Sequence, residues 1–420
     1  MWSLPRRIAF RFAFVFALLL VFPFPFGTLP HTDAVGALVN EAWGLVLSAV
    51  ESGLGLGASL LDPDSSDTLA GWLQVGLAMT IASIGAAVWS ILDRRRTAYP
   101  RLASALEIYL RYWLATSMIM YGLVKLLPIQ FPGPHVAMLD ERVGDMSPMG
   151  LMWTFFGYSR AYQCFAGGAE LLGAVLLLSR RTRAIGALVL AAVLLNVVVL
   201  NFCYDVPVKL GSLELWVASM ALLSPTLMRI ARALLGHAVP AVPPRPRGSL
   251  RWERARIVGG LGAVVMISWT QWALLGDIAH WFAPPTPLDG AWLVERFTEA
   301  GVERPPLATD AGRWSRLQVL GGLKGSGKVG IVVIGMTGEP RRYVAQVDPT
   351  AASIELIGRG DEIAEPPVPA PPAESWHYAI LDADHVRITR ATAQVQLVRA
   401  PTAGLVTRGF HWVQDWAFNR

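Results

Sequence analysis

Long apolar runs recur along the first two thirds of the chain and give way to short alternating runs near its end. The long runs lie at about 8–26, 69–92, 106–127, 162–178, 184–200, 210–223 and 257–278. A helix needs roughly 20 apolar residues to cross a bilayer. The pattern therefore predicts an α-helical polytopic membrane protein with about seven transmembrane helices.

The segment AVGALVNEAWGLVLSAV, which follows the first run, also has helical periodicity. It contains Asn40 and Glu41, and it predicts an amphipathic helix that lies on the membrane surface. If it crossed the membrane, the arginines that follow the second run would face outward, against the tendency of basic loops to stay in the cytoplasm.

Arginine clusters mark one side of the predicted membrane. They precede the first run, separate the second from the third, the fourth from the fifth and the sixth from the seventh, while 27–68 has no Lys or Arg. Because basic loops stay in the cytoplasm, every cluster is expected inside. This predicts a bacterial inner-membrane protein with a cytoplasmic N-terminus and a periplasmic C-terminal domain.

Short β-like runs fill the last third, punctuated by Gly, Asp and Pro. They lie at 314–320, 329–336, 342–347, 353–357, 377–381, 386–389 and 394–398, with the linker EIAEPPVPAPPAE among them. Strands at regular spacing without intervening helices predict an antiparallel all-β soluble domain, either a sandwich or a small barrel.

These patterns divide the chain into five parts. We predict two N-terminal helices with a periplasmic loop (1–103), a four-helix core (104–228), a basic Pro-rich cytoplasmic linker (229–256), a seventh helix (257–280) and the β domain (281–420). The outer loop at 128–157 contains a Ser147-Pro148 helix start and the apolar MGLMWTFF. We expect this loop to cap the outer mouth of the core.

Composition supports the membrane assignment. Hydrophobic residues make up 53% of the 420 residues and charged residues 16%, with a mean hydropathy of +0.43. The pI near 9.4 and net charge of +5 come with arginines that cluster at the ends of apolar runs. Since basic residues at these positions set orientation, nucleic-acid binding is not expected.

Ionisable residues inside the predicted core form the first candidate site. Buried charges are expensive in a membrane and often mark function. Arg111 and Glu170 lie at similar predicted depths, which allows an ion pair, while Glu107 competes for Arg111 at i, i+4 spacing. Structural neutralisation is one interpretation, and titration of Glu170 during turnover is the other.

A second group lies near the outer ends of the helices. Lys125 either reaches the headgroups or joins a polar cluster there. With His135 and Trp153 of the outer loop, the cluster forms a candidate pocket for a quinone or another flat lipophile. Its other members are Cys164, Asn201, Cys203, Tyr204, Asp205 and Lys209.

Other chemistry has weaker signals. Cys164 and Cys203 are a candidate redox or disulfide pair, with unpartnered packing as the alternative. GLKGSGKV, at 322–329, resembles a phosphate loop but lacks its Ser or Thr and precedes a strand, so it predicts a hairpin turn. His377, His385 and His411 lack metal-motif spacing, and no metal site is expected.

The strings RYWLATSMIMYGLVKLL and FAGGAELLGAVLLLSRRTRAIGAL resemble the DoxX family of four-helix membrane proteins. SPMGLMWTFFG, LNFCYDVPVK and RGFHWVQDWAFNR resemble a longer bacterial branch with a C-terminal β domain. The resemblance implies association with membrane oxidoreductases, including a DoxD-type subunit of thiosulfate:quinone oxidoreductase. It assigns the family pattern to Arg111, Gly122, Lys125, Gly168, Glu170 and Gly173.

The sequence therefore favours a membrane component of a quinone-linked redox system. Lys125, Tyr204 and Asp205 would bond the quinone head. No haem, iron–sulfur or nucleotide motif is evident, so a redox partner subunit or the quinone itself would take the electrons. The alternative is a non-enzymatic carrier or assembly scaffold whose β domain holds an envelope protein or lipid. Whether the chain is an enzyme stays open.

Overall fold

A computed structural model describes residues 2–26, 29, 31–55, 66–239, 286–323, 328–359 and 374–407, with 260, 262, 265 and 269. The chain divides into two compact units, each discontinuous in sequence. The first is Met1–Phe131 with Ser147–Ala273, and the second is Pro132–Met146 with Leu274–Arg420. Part of the outer loop expected to cap the core thus belongs with the strands.

Helices dominate the first unit. The described helices up to residue 239 are α1 Leu4–Val21, α2 Asp33–Leu54, α3 Leu69–Leu92, α4 Pro100–Leu126, α5 Val136–Asp140, α6 Pro148–Tyr158, α7 Arg160–Leu178, α8 Arg183–Cys203 and α9 Lys209–Leu234. All of them except α5 belong to the first unit. Residues 260, 262, 265 and 269 are also helical, and the rest of the predicted seventh span lies outside the described residues.

Five described helices are long and apolar enough to cross a membrane, judged by length and composition: α2, α3, α7, α8 and α9. The first helix ends at Val21 rather than 26, because Pro23 and Pro25 follow it in a turn. The segment predicted to lie on the membrane surface is a helix, α2. Its location at the surface, like the number of crossings, stays a prediction.

Side-chain caps begin several of these helices. The Ser147 hydroxyl accepts the N–H of Gly150, with Pro148 at the first turn, which confirms the predicted start of α6. Inside α9, Pro225 has no N–H to donate to Ala221. The Ser224 hydroxyl donates to that carbonyl at 2.8 Å instead, so the helix continues.

Glycines allow α4, α7 and α8 to pack closely. A methyl group added to Gly167 would lie 2.7 Å from the Gly122 carbonyl oxygen and 2.9 Å from Lys125 Cβ. One added to Gly186 would lie 2.8 Å from the Gly173 carbonyl oxygen. Both glycines thus approach the backbone of a neighbouring helix. Four helices, α4, α7, α8 and α9, then pack as successive neighbours around a core of Leu, Ala and Met side chains.

A polar network joins the N-terminal helices. The Arg11 guanidinium is buried on α1 and donates to the Tyr99 hydroxyl, the Ser90 hydroxyl and the Asp93 carbonyl oxygen. Tyr99 in turn donates to the Asp93 carboxylate at 3.0 Å. Arg11 lies within the first predicted apolar run, and this packing role was not predicted.

The second unit is an antiparallel barrel of eight strands. The strands follow chain order, and β1 pairs with both β3 and β9, which closes the barrel. A two-residue strand, β2, pairs with one end of β1. The strands are β1 Gly290–Glu299, β2 Val302–Glu303, β3 Trp314–Leu323, β4 Lys328–Gly335, β5 Pro340–Asp348, β6 Ser353–Arg359, β7 Ser375–Ile380, β8 His385–Arg390 and β9 Ala393–Arg399. A final short helix, α10, is Gly404–Thr407.

The barrel interior is filled by side chains. Alternate residues of each strand point inward, as the pleat of a strand requires. Trp292, Phe297, Trp314 and Trp376 contribute the largest groups to a contiguous buried cluster. Helix α5 packs on this unit, where Asp140 accepts a bond from Gln318 at 2.7 Å.

All seven predicted strands are confirmed, and the barrel resolves the choice left open above. The hairpin at 322–329 is also confirmed, because β3 and β4 pair antiparallel with Leu323 opposite Lys328. The strand β1 was missed. The predicted linker between β6 and β7 and the C-terminal RGFHWVQDWAFNR lie outside the described residues, apart from Glu374.

The glycine contacts generate a prediction with an adjacent control. Gly167→Ala forces α4 and α7 apart and is expected to destabilise the protein by about 1–3 kcal/mol. Gly168 has no atom within 4 Å of an added methyl group, so Gly168→Ala is expected to be neutral or slightly stabilising. Thermal unfolding of detergent-purified variants measures both. Equal midpoints for the two variants would contradict the close approach.

Candidate functional site

A buried ion pair links α4 and α7. The Lys125 ammonium lies 2.9 Å from the Glu170 carboxylate, with 6% and 2% of the two residues exposed. Gly122 and Gly167 bring the two helices close enough for this contact. The pair is therefore a consequence of the helix crossing, and it places two charges in an apolar surrounding.

The prediction that Arg111 pairs with Glu170 is wrong, because the Glu170 carboxylate is bonded to Lys125. The competing Glu107–Arg111 pair is also absent among the described residues, since Glu107 is bonded by Arg183 of α8. Arg111 is buried, and its guanidinium lies over the neighbouring Tyr112 ring, 5.2 Å from the centroid. Its Nε atom has no hydrogen-bond partner in the described part of the chain.

The Lys125 side chain points back along its own helix and not beyond the helix end. Side chains on a helix tilt toward its N-terminus, and α4 ends one residue after Lys125. The ammonium therefore turns back along α4, where it also lies 3.5 Å from the Tyr121 carbonyl oxygen and 5.6 Å from the Tyr121 ring centroid. Tyr121 itself is 43% exposed on the helix surface.

An aromatic cluster lies at the C-terminal end of α4 and the N-terminal end of α7. Its buried members are Phe131, Met152, Phe156 and Val206, and Trp153 and Tyr204 pack against them. Ala166 also packs on this cluster, immediately before the Gly167 that contacts Lys125. The cluster thus lies beside the ion pair. Trp153 and Tyr204 pack against the same apolar cluster.

Two glutamine oxygens near this end of the unit have no hydrogen-bond partner among the described residues. They are Gln130 Oε1 and Gln163 Oε1. Gln163 is 1% exposed and precedes Gly167 and Glu170 by four and seven residues, on one face of α7. A buried acceptor without a donor is costly. Gln163 Oε1 is therefore an unsatisfied buried acceptor on the same face of α7 as Glu170.

The Asp205 and Lys209 part of the predicted cluster forms a separate contact. Lys209 Nζ lies 2.8 Å from the Asp205 carboxylate and 3.4 Å from that of Asp67. Asp67, in the loop before α3, also accepts the backbone N–H groups of Lys209 and Leu210. The carboxylate thus caps the N-terminus of α9, where the helix dipole favours an anion.

The pKa of Asp67 reflects this position. Burial raises it, but the backbone N–H groups of Leu210 and Lys209, the Ser66 hydroxyl and the Lys209 charge outweigh burial and hold the pKa below its usual 3.8. Ionised Asp67 is therefore the form that stabilises the fold.

The other predicted residues are dispersed. Asn201 is buried and donates to the Val208 carbonyl oxygen at 3.4 Å, which ties the end of α8 to the start of α9. Cys164 and Cys203 are free cysteines, so the disulfide is not formed. His135 is exposed at the start of α5 and belongs to the second unit, whereas Trp153 belongs to the first.

Histidines give no metal constellation in the described residues. No group of three or more His, Cys, Asp or Glu side chains is close enough to hold a metal ion there. His385 Nδ1 lies 2.9 Å from the Asp382 carboxylate in the β7–β8 turn, and this bond is the main reason that its pKa is raised. His411 lies outside the described residues.

Sequence reasoning missed two residues that make up these contacts, Asp67 and Gln163, and it did not single out Glu214. Asp67 resembles its acidic neighbours in an outer loop, and only the fold places it on α9. Gln163 shares the i, i+4, i+7 face of Gly167 and Glu170, a signal that the sequence contains. Glu214 lies inside α9 and has no ion-pair partner among the described residues.

Comparisons with known proteins give one relative. The chain is 39% identical over 113 residues to "Uncharacterized protein YwoB" of Bacillus subtilis (strain 168), covering 27% of this chain and 71% of the relative. No protein-family model matches the chain. No solved structure matches it either.

The buried pair predicts a strongly non-additive mutant cycle. Lys125→Met or Glu170→Met alone leaves one uncompensated buried charge and is expected to destabilise by about 3–5 kcal/mol. The double variant K125M/E170M removes both charges and is expected to match or exceed the wild type. Thermal unfolding midpoints measure the coupling.

The Glu107–Arg183 pair is the matched control, since its side chains are 31% and 28% exposed. Its single variants are expected to cost about 1 kcal/mol or less. Additive effects at Lys125 and Glu170 would show that the pair does not form.

Asp67 predicts a pH-dependent stability. Because its folded-state pKa is lowered, the stabilisation is complete above the unfolded-state value near 3.8 and is lost as the pH falls through the folded-state pKa. Asp67→Asn is expected to cost about 1–2 kcal/mol near neutral pH and to lose little further stability on acidification. Unfolding midpoints against pH test this, with Asp33→Asn as the exposed control; parallel curves for wild type and D67N would refute it.

Proposed function

We propose that this chain, which over 113 residues belongs to the same family as the Bacillus subtilis protein YwoB, is the membrane-embedded component of a quinone-linked redox system. The helical unit lies in the bacterial inner membrane, with its N-terminus in the cytoplasm and the barrel in the periplasm. Apolar side chains exposed on its helices support membrane embedding, among them Leu45, Ile84 and Phe165. The arginine clusters support the orientation.

The single observation that carries the proposal is the Lys125–Glu170 pair beside an aromatic cluster. Quinone chemistry in a membrane needs hydrogen-bond donors, a proton-carrying group and a flat apolar surface. Lys125 has an ammonium donor, Glu170 a carboxylate, and Tyr121 an exposed ring within 5.6 Å of the ammonium. The resemblance to the DoxX family points to the same chemistry.

The residues present fit a quinone in both redox forms. A quinone carbonyl accepts from Lys125 or from the Tyr121 hydroxyl. A quinol hydroxyl donates to the orphaned Gln163 Oε1. When bound, the quinone supplies the two-electron chemistry, while these side chains orient its head and hold the proton at Glu170. Tyr204 contributes through the aromatic cluster, and Asp205 is assigned to Lys209 instead.

A second candidate function is a non-enzymatic scaffold whose barrel holds an envelope partner. The filled barrel interior favours it, because Trp292, Phe297 and Trp376 occupy the space that a small ligand would need. A partner protein would then bind the outer surface or the loops. In this case the helical unit serves as an anchor.

One preparation separates the two functions. The full chain, purified in mild detergent, is extracted with organic solvent, and quinone per protein is quantified by mass spectrometry. Under the redox proposal, wild type and the Glu107→Gln control carry comparable quinone. The folded double variant K125M/E170M is expected to carry about one tenth of the wild-type quinone content or less, because a charged hydrogen bond to the quinone is lost.

Two results would refute the quinone proposal. One is quinone-free wild type that copurifies with a stoichiometric envelope protein, which supports the scaffold. The other is an equal quinone content in wild type and K125M/E170M, which would show that the quinone binds elsewhere.

A further inference from the structure

Arg111 has no carboxylate partner among the residues that the structure describes. It is 4% exposed, its Nε atom is buried without a hydrogen-bond partner, and no carboxylate pairs with its guanidinium among the described residues. The two carboxylates that the sequence analysis considered for it are occupied: Glu170 by Lys125 and Glu107 by Arg183. Within the described part of the chain, the Arg111 guanidinium therefore contacts the Tyr112 ring but no carboxylate.

The position of Arg111 makes this charge costly. It lies about 16 Å along α4 from Pro100 and about 21 Å before Lys125, at 1.5 Å per residue. The next turn of the same helix face presents Leu114 and Ala115, both fully buried. Removing a charge from water without a partner costs several kcal/mol. An anion that arrives from outside the chain would remove this cost.

The guanidinium selects the class of anion. Its planar fork donates two parallel bonds to a phosphate or carboxylate. A hydrated free ion would have to lose its water to enter an apolar environment, whereas a lipid tail is compatible with it. We propose that Arg111 binds the oxyanion head of a membrane-borne amphiphile, a phosphate or carboxylate carried on an acyl or prenyl chain. This site is separate from the one at Lys125.

The test uses the full chain in neutral detergent, titrated with phosphatidic acid as the lipid-borne oxyanion. Thermal unfolding midpoints give an apparent Kd, because ligand that binds the folded state raises the midpoint. Saturable stabilisation is expected for the wild type. Arg111→Met removes the guanidinium and is expected to bind phosphatidic acid about tenfold more weakly than the wild type, or worse. The affinity of Arg111→Lys is expected to lie between those of the wild type and R111M.

The matched control is Arg101→Met, an exposed arginine ten residues earlier on α4. R101M and K125M/E170M are both expected to bind phosphatidic acid like the wild type, which separates this site from the proposed quinone site. R111M loses a buried unpaired charge, so it is expected to fold at least as stably as the wild type.

Three results would overturn the proposal. They are no saturable shift for the wild type, an unchanged Kd in R111M, and a loss in R101M equal to that in R111M. Inorganic phosphate is titrated in parallel. If it shifts the midpoint at the same concentrations as phosphatidic acid, the anion is a free ion and the membrane-borne assignment is wrong.

Discussion

The close approach of α4 and α7 is the constraint from which the helical unit follows. Gly122 and Gly167 let the two backbones touch, and this contact buries Lys125 against Glu170. Buried charges tolerate little displacement, because each is stable only while the other stays in place. The glycines thus set the distance and the ion pair sets the register. The aromatic cluster at Ala166 then packs next to a fixed polar centre.

Periodicity predicted the barrel well, and one exception shows its limit. The predicted strands were recognised even where alternation is imperfect, since β4 is apolar at nearly every position and the β3–β4 and β5–β6 pairs contain register shifts. In β1, GAWLVERFTE, a register shift between Val294 and Arg296 leaves the two most buried side chains, Trp292 and Phe297, five residues apart, so no period of two is visible. It also follows a Pro-rich segment, which reads as a loop. The pairing with β9, which is distant in sequence, fixes β1 as a strand. The local sequence of β1 does not show this pairing.

Sequence reasoning predicted the residues of the candidate site better than the contacts between them. Lys125 and Glu170 were both singled out, but the depth estimate assigned Glu170 to Arg111. Axial depth says nothing about which helix face a residue occupies, and it ignores the backward reach of a lysine near the end of its helix. Asp67 lay beyond sequence reasoning because its partners are backbone N–H groups of α9. Those groups become available only where a helix begins.

The segment Pro132–Met146 has a consequence for the order in which the protein is made. Asp140 bonds Gln318, 178 residues later in the chain, and also Arg316 of the same strand. The ribosome synthesises Asp140 first, then α6 to α9, and only afterwards the strand β3, which contains Gln318 and Arg316. During synthesis the barrel is therefore completed after the segment that packs on its outer surface, and a gene fragment that starts at β1 encodes a unit without its first segment.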